Sequence, residues 1–164
     1  MSKGPEANFW NLLRKNLPKK CHATRIENRV GSGVPDVHVA WDGLVFWLEL
    51  KITKNNSVRL SPHQIAWNTA YWLSGGLSLI LVKHLGTSAL FLFEGHQARE
   101  LASEGLDKCT AVWTGRSAPS AWEAIDQLYH SRRPQVRGSG SGVRDSGSSD
   151  PVEGEGQSKK EGKD

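Results

Sequence analysis

Asp42-Gly43 separates two runs of residues that favour β-strands, residues 37–41 and residues 44–51. Asp-Gly is a preferred pair for the two-residue type I′ turn, so the two runs are predicted to form a β-hairpin. A two-residue turn also sets the register: Trp41 faces Leu44, and each further pair lies one residue farther out on both strands. The rest of the chain must therefore be arranged around an antiparallel strand pair.

The same register places Asp36 directly opposite Glu49, and directly opposed residues share one face of a sheet. Because side chains alternate along a strand, Lys51 lies on that face too. Two facing carboxylates repel each other unless a cation lies between them. Oxygen ligands at a strand end suit Mg²⁺ or Mn²⁺. The hairpin therefore predicts a metal site where Lys51 orients or helps to deprotonate an attacking water.

A simpler interpretation is an amphipathic hairpin whose Asp, Glu and Lys form a surface ion-pair cluster worth under about 1 kcal/mol. Against it, residues 44–50 are nearly all apolar, a pattern typical of a central strand covered on both faces. An acidic residue near the end of such a strand is costly to bury. We therefore favour a functional role for Glu49.

Gly33-Val34-Pro35-Asp36 followed by Glu49-Leu50-Lys51 resembles the PD-(D/E)xK nuclease superfamily, in particular small phage and bacterial VRR-NUC domains and Holliday-junction-resolvase-like proteins. The resemblance implies a restriction-endonuclease-like α/β core, with a mixed β-sheet flanked by helices, and a Mg²⁺-dependent DNA endonuclease. It covers about residues 5–93 and includes three further matches: Leu60-Ser61-Pro62-His63-Gln64, Trp67 and Gly75-Gly76.

The resemblance implies that Asp36 and Glu49 are metal ligands and that Lys51 is the catalytic lysine. The Leu50 carbonyl could add a further ligand, because hard cations accept backbone oxygens. Superfamily members often have a glutamine at the position of Gln64, where it helps to position the water or the DNA. These residues form the candidate catalytic and metal-binding set.

An additional acidic ligand is expected by resemblance, and two residues compete for the role. Glu6 lies in the first turn of a predicted helix, where the helix dipole alone would explain a carboxylate. Related nucleases place a glutamate on the corresponding helix as an additional ligand. Glu27 is the alternative third acid, although it can simply pair with Arg25 and Arg29, which share its strand face.

The charge distribution indicates a basic body. Residues 134–164 contain five basic and six acidic residues, so a net charge of +5 lies in residues 1–133 of a chain whose total is +4. A basic surface suits contact with phosphates, although ordinary solvated charge is the alternative. The polar loop of residues 52–60 would lie beside the scissile phosphate. The candidate DNA contacts are Lys19, Lys20, Arg25, Arg29, Lys54 and Arg59.

Further elements are predicted on both sides of the hairpin. Helices are expected over residues 5–17, residues 96–102 and, from Ser61 as N-cap and Pro62 as first helical residue, up to residue 73. A capping box at Ser120 and Glu123 should open a last helix. Strands are expected over residues 22–30, 77–83, 88–93 and 110–114. The apolar residues Ile65, Trp67, Ala70, Tyr71 and Trp72 are interpreted as core rather than as a base-stacking platform.

Residues 134–164 contain no aromatic residue, Ile or Leu and are rich in Gly and Ser, so a disordered tail is predicted after a nuclease domain of residues 1–133. Cys21 and Cys109 are too few for a disulfide framework or a zinc site. No run approaches the roughly 18 apolar residues of a membrane span. We expect a cytoplasmic protein without a membrane partner, in the host cytoplasm if a phage encodes it.

The leading hypothesis is a metal-dependent endonuclease that hydrolyses phosphodiester bonds in branched or flapped DNA, including Holliday junctions. Symmetric cleavage of a four-way junction needs two active sites, so a homodimer is expected by analogy. One alternative is a nickase or a restriction-type or repair-type nuclease on duplex DNA. Another is a non-catalytic nucleic-acid-binding module, although such a module gains nothing from facing carboxylates that repel phosphates.

Overall fold

The computed structural model describes residues 4–26 and 32–132. Within these ranges, helices and strands follow one another along the chain, and a short 3₁₀ helix, Gly95–Gln97, follows the fifth strand. The helices are α1 (Pro5–Lys15), α2 (Pro62–Leu73), α3 (Ala98–Glu104) and α4 (Ala118–Arg132). The strands are β1 (Cys21–Arg25), β2 (Val37–Trp41), β3 (Leu44–Thr53), β4 (Leu77–His84), β5 (Leu90–Glu94) and β6 (Trp113–Gly115).

The strands form one mixed sheet in the order β1-β2-β3-β4-β5-β6. All neighbours are antiparallel except β3 and β4, which run parallel and are connected through α2. Parallel neighbours need a crossover connection, and a helix is the usual one. The predicted α/β class, a mixed sheet flanked by helices, is confirmed.

The hairpin has the predicted geometry. Asp42 and Gly43 have positive φ angles of 49° and 78°, as a type I′ turn requires. Trp41 pairs with Leu44, and the ladder runs to the pair Val37 and Leu48. The next position outwards is that of Asp36 and Glu49, so the predicted register is correct.

Each face of the sheet has its own apolar cluster. Even-numbered residues of β3 point toward α1 and α4, and the odd-numbered residues point toward α2, because side chains alternate along a strand. The first cluster is the larger one and includes Phe9, Leu13, Val39, Phe46, Leu48, Leu81, Leu92 and Trp122. The second lies on the other face and includes Val58, Ile80, Val82, Phe93 and Leu101.

The prediction that β3 is covered on both faces is wrong for its first half. Val45 is 51% exposed, and Trp47 is only half-buried. The reason is the position of α2, which packs mainly against β4 and the 3₁₀ helix after β5. The outer face of β2 and the beginning of β3 is therefore partly open.

Helix α2 has the predicted bounds but not the predicted buried face. The Ser61 hydroxyl accepts a hydrogen bond from the Gln64 backbone N–H at 3.2 Å, which confirms the N-cap. Asn68 is the fully buried side chain of this helix. Of the residues predicted as core, Ala70 is exposed, and the others are half-buried: Ile65, Trp67, Tyr71 and Trp72.

Helix α4 begins at Ala118, so the predicted capping box at Ser120 and Glu123 is wrong. The Ser117 hydroxyl accepts the Ser120 backbone N–H at 3.3 Å, which makes Ser117 the capping residue. Pro119 then lies in the first turn, where its missing N–H costs nothing. Ser117, three residues before Ser120 and two residues before Pro119, was the better sequence signal for the start of this helix.

Several predictions fall outside the described residues. Strand β1 is seen over Cys21–Arg25, whereas the sequence predicted residues 22–30, of which Glu27 and Arg29 are not described. The predicted tail of residues 134–164 is not described either. Strands β5 and β6 begin two and three residues later than predicted. No helix in the described part of the chain is long and apolar enough to cross a membrane.

Candidate active site

Glu49 lies on the α2 side of β3 and is only 1% exposed. Its Oε1 atom accepts a hydrogen bond from Gln64 Nε2 at 2.5 Å and lies 2.9 Å from Lys51 Nζ. Its Oε2 atom is buried and has no hydrogen-bond partner among the described residues. The two oxygens therefore differ: protein groups hold Oε1, whereas Oε2 is buried without a hydrogen bond in the described part of the chain.

The surroundings of Glu49 oppose its ionisation. Burial is the main cause and the charge of Asp36 the second, and together they raise the pKa of Glu49 from 4.5 to about 7. The Lys51 ammonium group acts in the opposite direction but does not cancel these effects. Ionising this buried carboxylate is therefore costly even with Lys51 beside it.

Asp36 is attached to the backbone of β3. Its Oδ2 atom accepts a hydrogen bond from the Leu50 N–H at 2.9 Å. This contact holds Asp36 next to Glu49, as the hairpin register predicted. It also places Asp36 next to Leu50, whose carbonyl oxygen is the predicted backbone ligand.

The segment before Asp36 is positioned by Gly33. Gly33 has a positive φ of 93°, and a Cβ atom at this position would collide with the backbone carbonyl of His63. The loop can therefore pack directly on the start of α2. This close approach of two backbones explains the glycine at position 33.

Gln64 links the start of α2 to the carboxylates. Its Oε1 atom accepts a hydrogen bond from the Ser61 N–H at 3.0 Å, which completes a capping box. Its Nε2 group then points away from the helix end, to Glu49. The role of Gln64 in positioning water or DNA remains a prediction.

Glu6 lies in the first turn of α1 and is exposed. Its charge contributes to the raised pKa of Glu49, so it faces the same end of the sheet. Within residues 4–26 and 32–132, however, no three His, Cys, Asp or Glu side chains are close enough together to hold a metal ion. Glu6 is therefore near the pair of Asp36 and Glu49 without completing a cluster of three.

The polar loop after β3 forms a cationic cleft of about 340 Å³, lined by Lys51, Lys54 and Arg59 with Ile52, Thr53, Asn55 and Ser57. The Thr53 hydroxyl lies 2.7 Å from the Asn55 carbonyl oxygen and 2.8 Å from that of Ser57. These contacts give the loop a defined shape. Lys54 and Arg59, two of the predicted DNA contacts, thus lie beside Lys51.

The other predicted DNA contacts in the described part of the chain are spread over the sheet, and Arg29 lies outside that part. Arg25 pairs with Val37 and so lies at the same end of the hairpin as Asp36. Lys19 and Lys20 precede Cys21, which pairs with Trp41 beside the turn. The turn and the opposite end of the hairpin are five residues apart along the strand, which corresponds to about 17 Å. The structure does not bring Lys19 and Lys20 to the carboxylates.

Sequence reasoning missed a row of aromatic rings beside the carboxylates. Trp47 lies two residues before Glu49 on the same face of β3 and contacts His38 across the hairpin, with ring centroids 4.9 Å apart. It also contacts Trp67 of α2 at 5.5 Å. The available signal was the alternation of β3, in which Trp47 shares a face with Glu49 rather than with Leu48.

The donor set fits a hard divalent cation. Asp36, Glu49 and the Leu50 carbonyl offer only oxygen atoms, and Mg²⁺ is usually bound by one or two carboxylates and several waters. Glu49 Oε2, which has no protein partner among the described residues, is a position that such a cation would occupy. Zinc sites usually include sulfur or imidazole ligands, whereas Asp36, Glu49 and the Leu50 carbonyl offer oxygen.

The likeness of this chain to known proteins is structural. No family model matches the sequence, and no curated protein matches it. A similar solved structure is Hjc, a Holliday junction resolvase from the archaeal hyperthermophile Archaeoglobus fulgidus, with a TM-score of 0.46 and 18% sequence identity over 57% of this chain and 75% of that chain. The assignment of the site therefore depends on the geometry of this chain itself.

Proposed function

We propose that this chain is a metal-dependent DNA endonuclease that hydrolyses phosphodiester bonds at the site formed by Asp36, Glu49 and Lys51. The observation that carries the proposal is the Glu49 carboxylate, which is buried and has one oxygen without a protein partner in the described residues. A surface ion-pair cluster would leave such a carboxylate in water. A binding module for phosphates would not bury a negative charge beside them.

Asp36, Glu49 and the Leu50 carbonyl would hold Mg²⁺ or Mn²⁺, with Glu6 as a candidate for an additional contact. When bound, the cation would polarise the phosphodiester and stabilise the negative charge that develops in the reaction. The raised pKa of Glu49 in the metal-free protein is consistent with a carboxylate arranged for a cation.

The protein groups around the carboxylates have separate tasks. Gln64 and Lys51 both hold Glu49 Oε1, and these two contacts oppose rotation of the carboxylate group. The Lys51 side chain is 15% exposed, and its ammonium group can orient the attacking water and offset the charge of the phosphate. Lys54 and Arg59 in the cationic cleft would hold the backbone next to the scissile phosphate.

The preference for branched DNA and the homodimer remain proposals from the resemblance of the Gly33–Lys51 motifs to resolvase-like nucleases. Two copies with one site each would be needed for paired cuts in a four-way junction. Sedimentation of the full chain, alone and on a junction, tests this. A monomer that cuts one strand would favour the nickase alternative.

The test of the function is cleavage of labelled four-way junction, flap, duplex and single-stranded DNA with Mg²⁺, Mn²⁺ or EDTA. We expect metal-dependent cleavage, abolished in Asp36→Ala and Glu49→Ala with DNA binding retained or stronger. Lys51→Ala should lower the rate with metal binding largely preserved. Glu123→Ala, which removes an exposed carboxylate from α4, is the matched control and should cleave normally.

Metal binding is measured separately by calorimetry with Mn²⁺ alone. We expect binding to the wild type and to Glu123→Ala, and at least tenfold weaker binding to Glu49→Ala. Cleavage that survives Glu49→Ala at the wild-type rate would contradict the proposed site. Tight DNA binding without cleavage of any substrate would favour the binding module.

A further inference from the structure

One face of β3 carries four kinds of side chain in line. Val45, Trp47, Glu49 and Lys51 occupy alternate positions, so they follow one another at about 7 Å intervals on the α2 side of the sheet. Lys51, the last of the four, also lines the cationic cleft. Along a single strand, an aromatic surface is thus followed by a carboxylate and then by cations.

The aromatic end of this line is a continuous surface, here called the aromatic shelf and defined as His38, Ala40, Val45, Trp47 and Trp67. His38 and Trp47 are cross-strand partners, and so are Ala40 and Val45. The ring of Trp67 extends the surface from β3 to α2. Trp67 also stacks on Tyr71, whose ring packs over Gly76, so this edge of the shelf is held in place.

The shelf is accessible, whereas the opposite face of the same two strands is not. Val37, Val39, Leu44, Phe46 and Leu48 are at most 3% exposed. On the shelf, Val45 is 51% exposed, and His38, Ala40, Trp47 and Trp67 are half-buried. An antiparallel pair with one solvated face usually has polar residues there. An apolar, aromatic surface in that place is typical of a binding site.

We propose that the aromatic shelf stacks against unpaired nucleobases of single-stranded DNA that leads into the carboxylate site. The neighbours of the shelf identify the occupant: Lys51, Lys54 and Arg59 provide cations for phosphates, and the rings provide surfaces for bases. Combining aromatic side chains with a cationic groove is how proteins bind single strands without sequence preference. Bases inside a duplex are already stacked on each other and cannot use the shelf.

This inference rests on the proposed nuclease function and specifies its substrate: DNA with unpaired nucleotides next to the scissile phosphate, as in a flap or an opened junction. Its test needs no cleavage. Binding of a fluorescently labelled oligothymidylate and of a blunt duplex is measured in EDTA with the full chain. If the wild-type chain binds the single strand as expected but cleaves no DNA, the proposed nuclease function is contradicted and the proposed role of the shelf is not.

Trp47→Leu should weaken binding of the single strand about 5- to 150-fold, the range for loss of one base-stacking side chain. Trp47→Phe should remain within about threefold of the wild type, because it keeps a ring on which a base can stack. Neither change should alter binding of the duplex. Equal affinity of the wild type and Trp47→Leu for the single strand would overturn the proposal.

Val45→Glu provides a second variant in which folding is not at risk, because the side chain is already exposed. A carboxylate on the shelf should weaken single-strand binding about tenfold or more, through repulsion of the phosphates. The matched control is Val112→Glu, which makes the same change at a valine that is 43% exposed just before β6. Equal losses in both variants, or none in Val45→Glu, would rule out the shelf.

Discussion

The two oxygens of the Glu49 carboxylate have different surroundings. Oε1 is held by Gln64 and Lys51, and Oε2 has no partner in the described part of the protein. At this position burial outweighs the attraction of Lys51, since the pKa of Glu49 is raised rather than lowered. The buried carboxylate lowers stability: an amide or an apolar side chain would suit the metal-free fold better.

The raised pKa predicts how stability depends on pH in the metal-free protein. The folded pKa, about 7, exceeds the reference value of 4.5, so the folded state favours the protonated carboxyl group. The contribution of Glu49 is fully present below pH 4.5 and is lost as the pH rises to about 7. The loss is roughly 3 kcal/mol, at about 1.4 kcal/mol per pKa unit.

Urea unfolding of the wild type and Glu49→Gln from pH 4 to pH 8 measures this loss. Relative to the wild type, Glu49→Gln should gain stability as the pH rises through that window. Glu123→Gln is the control, because Glu123 is exposed on α4 and should show no such gain. A difference between wild type and Glu49→Gln that does not change with pH would contradict the assigned pKa shift.

At the scale of elements, α2 connects the sheet to the site. Asn68 is its anchor: Nδ2 donates to the Gln64 carbonyl at 2.8 Å, and Oδ1 accepts a hydrogen bond from the Ser78 hydroxyl on β4. Gly95 approaches the Asn68 backbone so closely that a Cβ atom would not fit between them. The turn that carries Gln64 is therefore attached to β4 through a buried polar contact.

Asn68→Leu is expected to destabilise the protein by about 1–3 kcal/mol, because it leaves the buried Ser78 hydroxyl without its partner. The double variant Asn68→Leu/Ser78→Ala should recover part of the loss, since it removes the orphaned hydroxyl as well. Free energies of unfolding from urea titrations give both values. A single variant as stable as the wild type would show that α2 does not depend on this contact.

The loop before β2 is a second element with a strict requirement. Gly33→Ala should destabilise the fold by about 1–3 kcal/mol, because the backbone has a positive φ of 93° and the new Cβ meets the His63 carbonyl. Gly75→Ala separates the two causes: Gly75 also has a positive φ, of 83°, but has open space around it. Thermal unfolding should rank wild type above Gly75→Ala, and Gly75→Ala above Gly33→Ala.

At the scale of the whole molecule, the two faces of the sheet differ in how completely helices cover them. The face covered by α1 and α4 contains the larger apolar cluster and supplies stability through buried area. The other face is covered by α2 and α3 over β4 and β5 but is partly open over β2 and β3. Asp36 and Glu49 lie on the less completely covered face, next to its partly open part, although Glu49 itself is buried.

Deleting residues 134–164 should leave the fold unchanged, because their composition cannot form a core. The shortened chain should unfold cooperatively, with a midpoint within a few degrees of that of the full chain. Circular dichroism during heating measures this. Loss of the cooperative transition on truncation would show that the tail contributes to the folded body.

The sequence by itself determined the hairpin, its register and the limits of α2. These features depend on local chemistry: Asp42-Gly43 requires one turn type, and Ser61 followed by Pro62 begins a helix. Because the turn sets the register, the pairing of Asp36 with Glu49 followed from residues close together in the chain.

Only the tertiary structure decided which of these residues meet and which surfaces stay open. The contact of Gln64 with Glu49 depends on how α2 packs across β4, and no local pattern records that packing. The same packing leaves the aromatic shelf accessible, although Trp47 and Trp67 read as core residues in the sequence. Apolar periodicity shows which residues can be buried, whereas the position of neighbouring elements decides which residues are.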